Sequence, residues 1–269
     1  MFGIEPILVA GLLLLGACTG FAAGLLGIGG GMIMVPFITM LLTHQHFPAE
    51  AIVKTAIATS LASILFTSIA SVRAHHKRGA VRWDIVRNVA PGIVVGSLCG
   101  AQVAALLKGA LLATLFAAFV GFSATQMLTG KKPSPSRTMP GPAASAAAGG
   151  LVGFLSAIVG AGGGFISVPL MALCNVPMHQ AVATSAALGF PIALAGTAGY
   201  VIAGWQQALP QSLGFVWLPA LAAVTCASVL TAPMGAKVAH ALPVASLKRV
   251  FALVLYVLAA YMISRALQS

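Results

Sequence analysis

The sequence predicts an all-α polytopic membrane protein built from two inverted repeats. Three observations lead there: too few charges for a water-facing surface, apolar runs of spanning length, and a glycine-rich motif that occurs twice. Each repeat is expected to hold a glycine-broken hairpin or broken helix plus three transmembrane helices. Of the 269 residues, 59% are hydrophobic and only 6% are charged. A soluble domain carries about a quarter charged residues, so lipid must solvate most of this chain. The mean hydropathy of +1.03 agrees. The net charge is +11, from 14 Lys and Arg against 3 Asp and Glu. The basic residues sit between apolar runs, where they act as orientation signals rather than as a nucleic-acid surface.

The elements follow in order from the requirement of about 20 apolar residues per span. The first stretch, Pro6 to Leu42, is too long for one helix and is broken by glycines. Its Leu15-Gly16-Ala17-Cys18 resembles a lipoprotein cleavage box, but no Lys or Arg precedes it, as a signal peptide would require. The segment also belongs to the repeat, so it is expected to be retained. Simple spans are expected at Ala51 to Val72, Val89 to Leu107 and Ala110 to Leu128. Thr129 to Pro142 is rich in Pro, Ser and Lys and reads as an exposed linker. A second glycine-broken stretch follows, Ala143 to Leu173. Further spans are expected at Ala181 to Ala203, Phe215 to Val238 and Leu247 to Leu267. The units are therefore a first repeat over 1–128, a linker over 129–142 and a second repeat over 143–269.

The halves align on several features in the same order. Gly27 to Pro36 (GIGGGMIMVP) matches Gly160 to Pro169 (GAGGGFISVP), and Gly20-Phe21 matches Gly153-Phe154. Ala58-Thr59-Ser60 matches Ala183-Thr184-Ser185, Gly100 to Ala104 matches Gly235 to Ala239, and Phe116 matches Phe251. One such match could be chance; the ordered set is an internal duplication.

Charge sets the orientation. Basic residues cluster between Arg73 and Arg87, in the linker (Lys131, Lys132, Arg137) and from Lys237 to Arg249, while Gly204 to Gly214 has none. The positive-inside rule places the first three in the cytoplasm. The two broken stretches then become hairpins that enter and leave on one face, each half crosses three times, and the halves are inverted. The rival arrangement makes both stretches full spans, with eight crossings and parallel repeats.

The chemistry lies at the breaks. A helix restarts after each glycine cluster, near Met32 and Phe165, and its first N–H groups lack intrahelical partners. With the helix dipole they form an uncharged anion site. Gly29, Gly30, Gly31, Gly162, Gly163 and Gly164 are the candidate backbone donors. Thr59, Ser60, Thr184 and Ser185 are the candidate hydroxyl donors. Close helix packing is the competing role for the glycines, and bonding within their own helices for the hydroxyls. The acidic residues Glu5, Glu50 and Asp84 all fall at or beyond span ends, so the carboxylates of a cation site or proton relay are missing from the spans.

Other residues read as structural. His75-His76 suits a solvated cytoplasmic turn, and Lys54 an exposed pair with Glu50 four residues earlier. Trp83, Trp205 and Trp217 suit interfacial anchoring. Cys18, Cys99, Cys174 and Cys226 suit buried small hydrophobes. No nucleophile–base pair, phosphate loop or metal constellation is legible, so no enzyme activity, cofactor or metal is expected.

At GLLGIGGGMIMVP, GFLSAIVGAGGGFISVP and the two ATS stretches, the chain resembles the TauE/SafE family of sulfite exporters and related permeases, over essentially its whole length. The resemblance implies a permease for small sulfur oxyanions or organosulfonates, resident in a cell membrane, the inner membrane in a bacterium. The expected partners are a small anion and the lipid bilayer, without nucleic acid and with the oligomeric state open. An anion channel and a non-transporting scaffold are the alternatives.

Overall fold

The computed structural model describes residues 6–27, 30–129, 139–241 and 245–268, and within them all side chains except those of 240–250 and 268. The first half contributes α1 (Pro6–Leu26), α2 (Gly31–His44), α3 (Ala49–His76), α4 (Trp83–Leu106) and α5 (Gly109–Thr129). The second contributes α6 (Pro142–Val159), α7 (Gly164–Leu173), α8 (Met178–Gly204), α9 (Leu218–Ala241) and α10 (Ala245–Gln268). A small hairpin of β1 (Ser212–Leu213) and β2 (Val216–Trp217) joins α8 to α9, with Ser212 opposite Trp217. Among the described residues, seven helices are long and apolar enough to cross a membrane: α1, α3, α4, α5, α6, α8 and α9. Large apolar side chains such as Leu14, Val95, Leu230 and Val257 point outward, as a lipid solvent permits. The all-α polytopic class is therefore the observed one.

Several expected boundaries need correction. The interval between Arg73 and Arg87 is mostly helix, because α3 continues to His76 and α4 already begins at Trp83. Hydropathy marks the hydrocarbon thickness, whereas backbone hydrogen bonds carry a helix on into the headgroup region. Pro91 lies inside α4. The span expected from Phe215 starts at Leu218, since Phe215 to Trp217 complete the hairpin. The cysteines are also not buried: Cys18, Cys99 and Cys226 are free and exposed on α1, α4 and α9.

Both glycine-broken stretches turn back on themselves, with unequal legs. The first legs, α1 and α6, have 21 and 18 residues; the second, α2 and α7, have 14 and 10. Each first leg is long and apolar enough to cross a membrane, and each second leg is shorter.

The packing has a regular plan. α1 lies along α9, α4 along α6, α5 along α10, and α3 meets α8 at the centre. Gly16, Gly20 and Gly24 face the backbone at Val224, Ser228 and Ala232 in turn, so α1 and α9 are parallel. Gly92, Gly96 and Gly100 face Ala146, Gly150 and Phe154 in the same way, so α4 and α6 are parallel. Any Cβ on this glycine face of α1 or α4 would meet neighbouring main chain, and the small residues let the backbones touch. Across the centre, Gly189 faces Ser68 and Gly196 faces Leu61, which makes α3 and α8 antiparallel.

Candidate functional site

Two glycines open the second legs in the same way. Gly30 precedes α2 with φ 71° and ψ −6°, and Gly163 precedes α7 with φ 75° and ψ −8°. This left-handed conformation costs an ordinary L-residue about 1–2 kcal/mol. Each carbonyl then accepts from two later N–H groups: Gly30 from Ile33 and Met34 (3.2 and 3.3 Å), and Gly163 from Ile166 and Ser167 (3.1 and 2.9 Å). The N–H groups of Gly31 and Met32, and of Gly164 and Phe165, lie in the first turns and have no intrahelical acceptor. Gly29 lies outside the described residues. Gly162 lies in the turn before α7 and is buried.

The breaks touch. A Cβ on Gly31 would run into the carbonyl oxygen of Gly160. The ATS serines fasten this contact in a crossed pattern. Ser60 on α3 donates to Gly160 O at 2.9 Å, and Ser185 on α8 donates to Gly27 O at 3.0 Å. Each serine thus reaches the break of the other half. Ser167 adds contacts to Ser185 Oγ (2.9 Å) and to Gly163 O (3.0 Å).

Thr59 and Thr184 have a matched role of their own. Thr59 Oγ1 accepts from the Trp217 N–H at 2.9 Å, one residue before α9. Thr184 Oγ1 accepts from the Arg82 N–H at 3.0 Å, one residue before α4. Each satisfies a donor at the entry of a spanning helix, where an unpaired N–H is costly. All four ATS hydroxyl residues are fully buried.

Three residues read as surface features are engaged inside. His75 is fully buried, with Nε2 3.1 Å from the Gly24 carbonyl; a carbonyl only accepts, so Nε2 carries the hydrogen. The turn expected there leaves only His76 exposed, where its Nδ1 accepts from Trp83 Nε1 at 3.2 Å. Lys54 donates to Ala105 O at 2.7 Å and lies 5.9 Å from the Phe215 ring centre, so it ties α3 to the end of α4, while Glu50 one turn earlier also attracts it electrostatically. Trp217 is buried against Thr59, while Trp83 and Trp205 are exposed. Tyr200 is a further buried polar residue, donating to Ala157 O at 3.1 Å. It stands as far beyond Thr184 as His75 does beyond Thr59, and Ala157 stands as far beyond Gly153 as Gly24 does beyond Gly20. Extending the alignment of the halves beyond the ATS stretches would have found this pair.

A narrow cleft of about 20 Å³ approaches the second break, space for about one water. Ile85 and Val89 of α4, Val152 of α6, Ser167 and Leu170 of α7, and Leu188 of α8 are among its walls.

Comparison with known proteins matches residues 12–262 to the family described as sulfite exporter TauE/SafE. A probable membrane transporter protein of Haemophilus influenzae is 38% identical over 251 residues, 92% of this chain and 95% of its own length. Another so named, from Methanocaldococcus jannaschii, is 26% identical over 84% of this chain and 85% of its own. A third, YdhB of Bacillus subtilis, is 28% identical over 85% and 89%. No solved structure matches. With its multi-pass helical fold and a family match across nearly its whole length, this chain belongs to the TauE/SafE family of membrane transporters.

Proposed function

We propose that this transporter moves a small oxyanion of sulfur, sulfite or an organosulfonate, by alternating access between two inverted repeats. The observation that carries the reading is the crossed pair of hydroxyl–carbonyl bonds, Ser60 to Gly160 and Ser185 to Gly27, which fastens the glycine break at the end of α6 to α3 and the break at the end of α1 to α8. The antiparallel α3 and α8, with the parallel pairs α1/α9 and α4/α6, support inverted halves over 1–128 and 143–269 joined by the 129–142 linker. The N–H groups at Gly30, Gly31, Gly163 and Gly164, with Gly29 and Gly162 beside them, are the proposed anion donors. Ser60 and Ser185 fasten the breaks that carry those donors, Thr59 and Thr184 fix the entries of α9 and α4, and the serine hydroxyls become available to the anion when the breaks part. Such a site stabilises negative charge without a buried cation.

The test is thermal stabilisation of the purified protein by sulfite, thiosulfate, methanesulfonate and acetate. A ligand that binds only the folded state raises stability, by about 2.7 kcal/mol at a hundred times its Kd. The proposal expects the sulfur oxyanions to raise the melting temperature in a saturable way and acetate to do so less. Equal, non-saturating shifts with all four anions would contradict it.

A further inference from the structure

We propose that the anion is seated at the second break alone, and that Ser156 is its side-chain donor there, taking a small oxyanion that carries a single negative charge. The inference rests on the reading above and deepens it by choosing between the two matched ends.

The ends differ in their hydroxyls. Aligned through Gly20 and Gly153, Ser156 of α6 stands where α1 has Ala23; aligned through the glycine motif, Ser167 of α7 stands where α2 has Met34. Ser156 is 1% exposed, and its Oγ has no hydrogen-bond partner. A serine in a helix ordinarily returns its proton to a carbonyl one turn back, as Thr19 does on α1. The Ser156 Oγ lies instead 3.2 Å from the point where a Cβ on Gly163 would sit, beside the first turn of α7. A buried hydroxyl without a partner is costly. Here it faces Gly163, the residue just before the Gly164 and Phe165 N–H groups, which have no intrahelical acceptor. One anionic oxygen would satisfy all three.

Access points to the same end. The cleft is walled by Val152 and Ser167, and Val152 Cγ1 lies 3.3 Å from that Gly163 position. The place beside each glycine is occupied, but differently: at Gly163 the nearest atom is Ile192 Cδ1 at 2.5 Å, the far end of a side chain that can move aside, whereas at Gly30 it is the Thr19 carbonyl oxygen at 2.5 Å, main chain that cannot. No Lys or Arg lines the cleft, and its walls are mainly apolar. A dianion would lose far more hydration there than a monoanion, which sets the ligand class.

The experiment measures methanesulfonate and sulfate affinity by thermal shift in wild type, Ser156→Ala and Ser97→Ala. Ser97 is a second buried hydroxyl without a partner, on α4 beside Gly153, and is not among the atoms nearest Gly163. The inference expects Ser156→Ala to keep or raise the ligand-free melting temperature, because no protein hydrogen bond is lost, and to weaken methanesulfonate affinity about tenfold. Ser97→Ala should bind as wild type does, and sulfate more weakly than methanesulfonate. Unchanged affinity in Ser156→Ala, a clear loss of ligand-free stability, equal weakening in Ser97→Ala, or tight sulfate binding each overturns this inference while leaving anion transport standing. A wild type that binds none of the sulfur oxyanions overturns both.

Discussion

The Ser60 hydroxyl donates to the carbonyl oxygen of Gly160 at 2.9 Å, bonding α3 of the first half to the glycine break of the second. Ser185 and Gly27 repeat the bond in the opposite sense at 3.0 Å. Removing either hydroxyl leaves a buried carbonyl short of a donor. Ser60→Ala and Ser185→Ala should each lower the unfolding free energy by about 1 kcal/mol, read from thermal melting in detergent. Unchanged melting in both would show that the breaks are held by packing alone.

Thr59 tests the entry of α9. In Thr59→Val the Trp217 N–H loses its acceptor, at a cost of about 1–3 kcal/mol, whereas Thr59→Ser keeps an oxygen in place. The valine variant should melt clearly below the serine variant. Thr184 and Arg82 predict the same ranking on α4.

The two adjacent histidines should behave differently. His75 is buried on Gly24 O, while His76 is exposed. His75→Ala should destabilise by about 1–3 kcal/mol, and His76→Ala should stay within about 0.5 kcal/mol. Equal losses would contradict the placement of His75.

The α1–α9 seam depends on the absence of side chains. At Gly20 a new Cβ would meet the Ser228 main chain. Gly20→Leu should therefore cost at least about 2 kcal/mol, while Gly11→Leu, where a Cβ meets nothing within 4 Å, should leave melting unchanged. A comparison of membrane yield and melting temperature separates the two.

What the sequence reveals follows from the range of each interaction. The spans and the breaks are local properties: apolar composition declares the first, and a run of glycines declares the left-handed turns at Gly30 and Gly163. Composition alone ends the helices too early around Arg73 to Arg87, because polarity there marks the edge of the lipid, while α3 continues to His76 and α4 begins at Trp83. The partners of Thr59, Ser60, Thr184 and Ser185 lie about a hundred or more residues away, so their hydroxyls could be picked out as important but not assigned a bond. His75 looked solvated because Arg73, Lys77 and Arg78 surround it in sequence. Only the fold turns it inward onto Gly24.

The most direct measurement is counterflow in proteoliposomes of the purified protein, loaded with unlabelled methanesulfonate and given a trace of labelled methanesulfonate outside. Alternating access predicts transient accumulation of label above its equilibrium level, reduced in Ser60→Ala/Ser185→Ala vesicles. Label that only equilibrates, at a rate indifferent to the internal anion, would contradict the account.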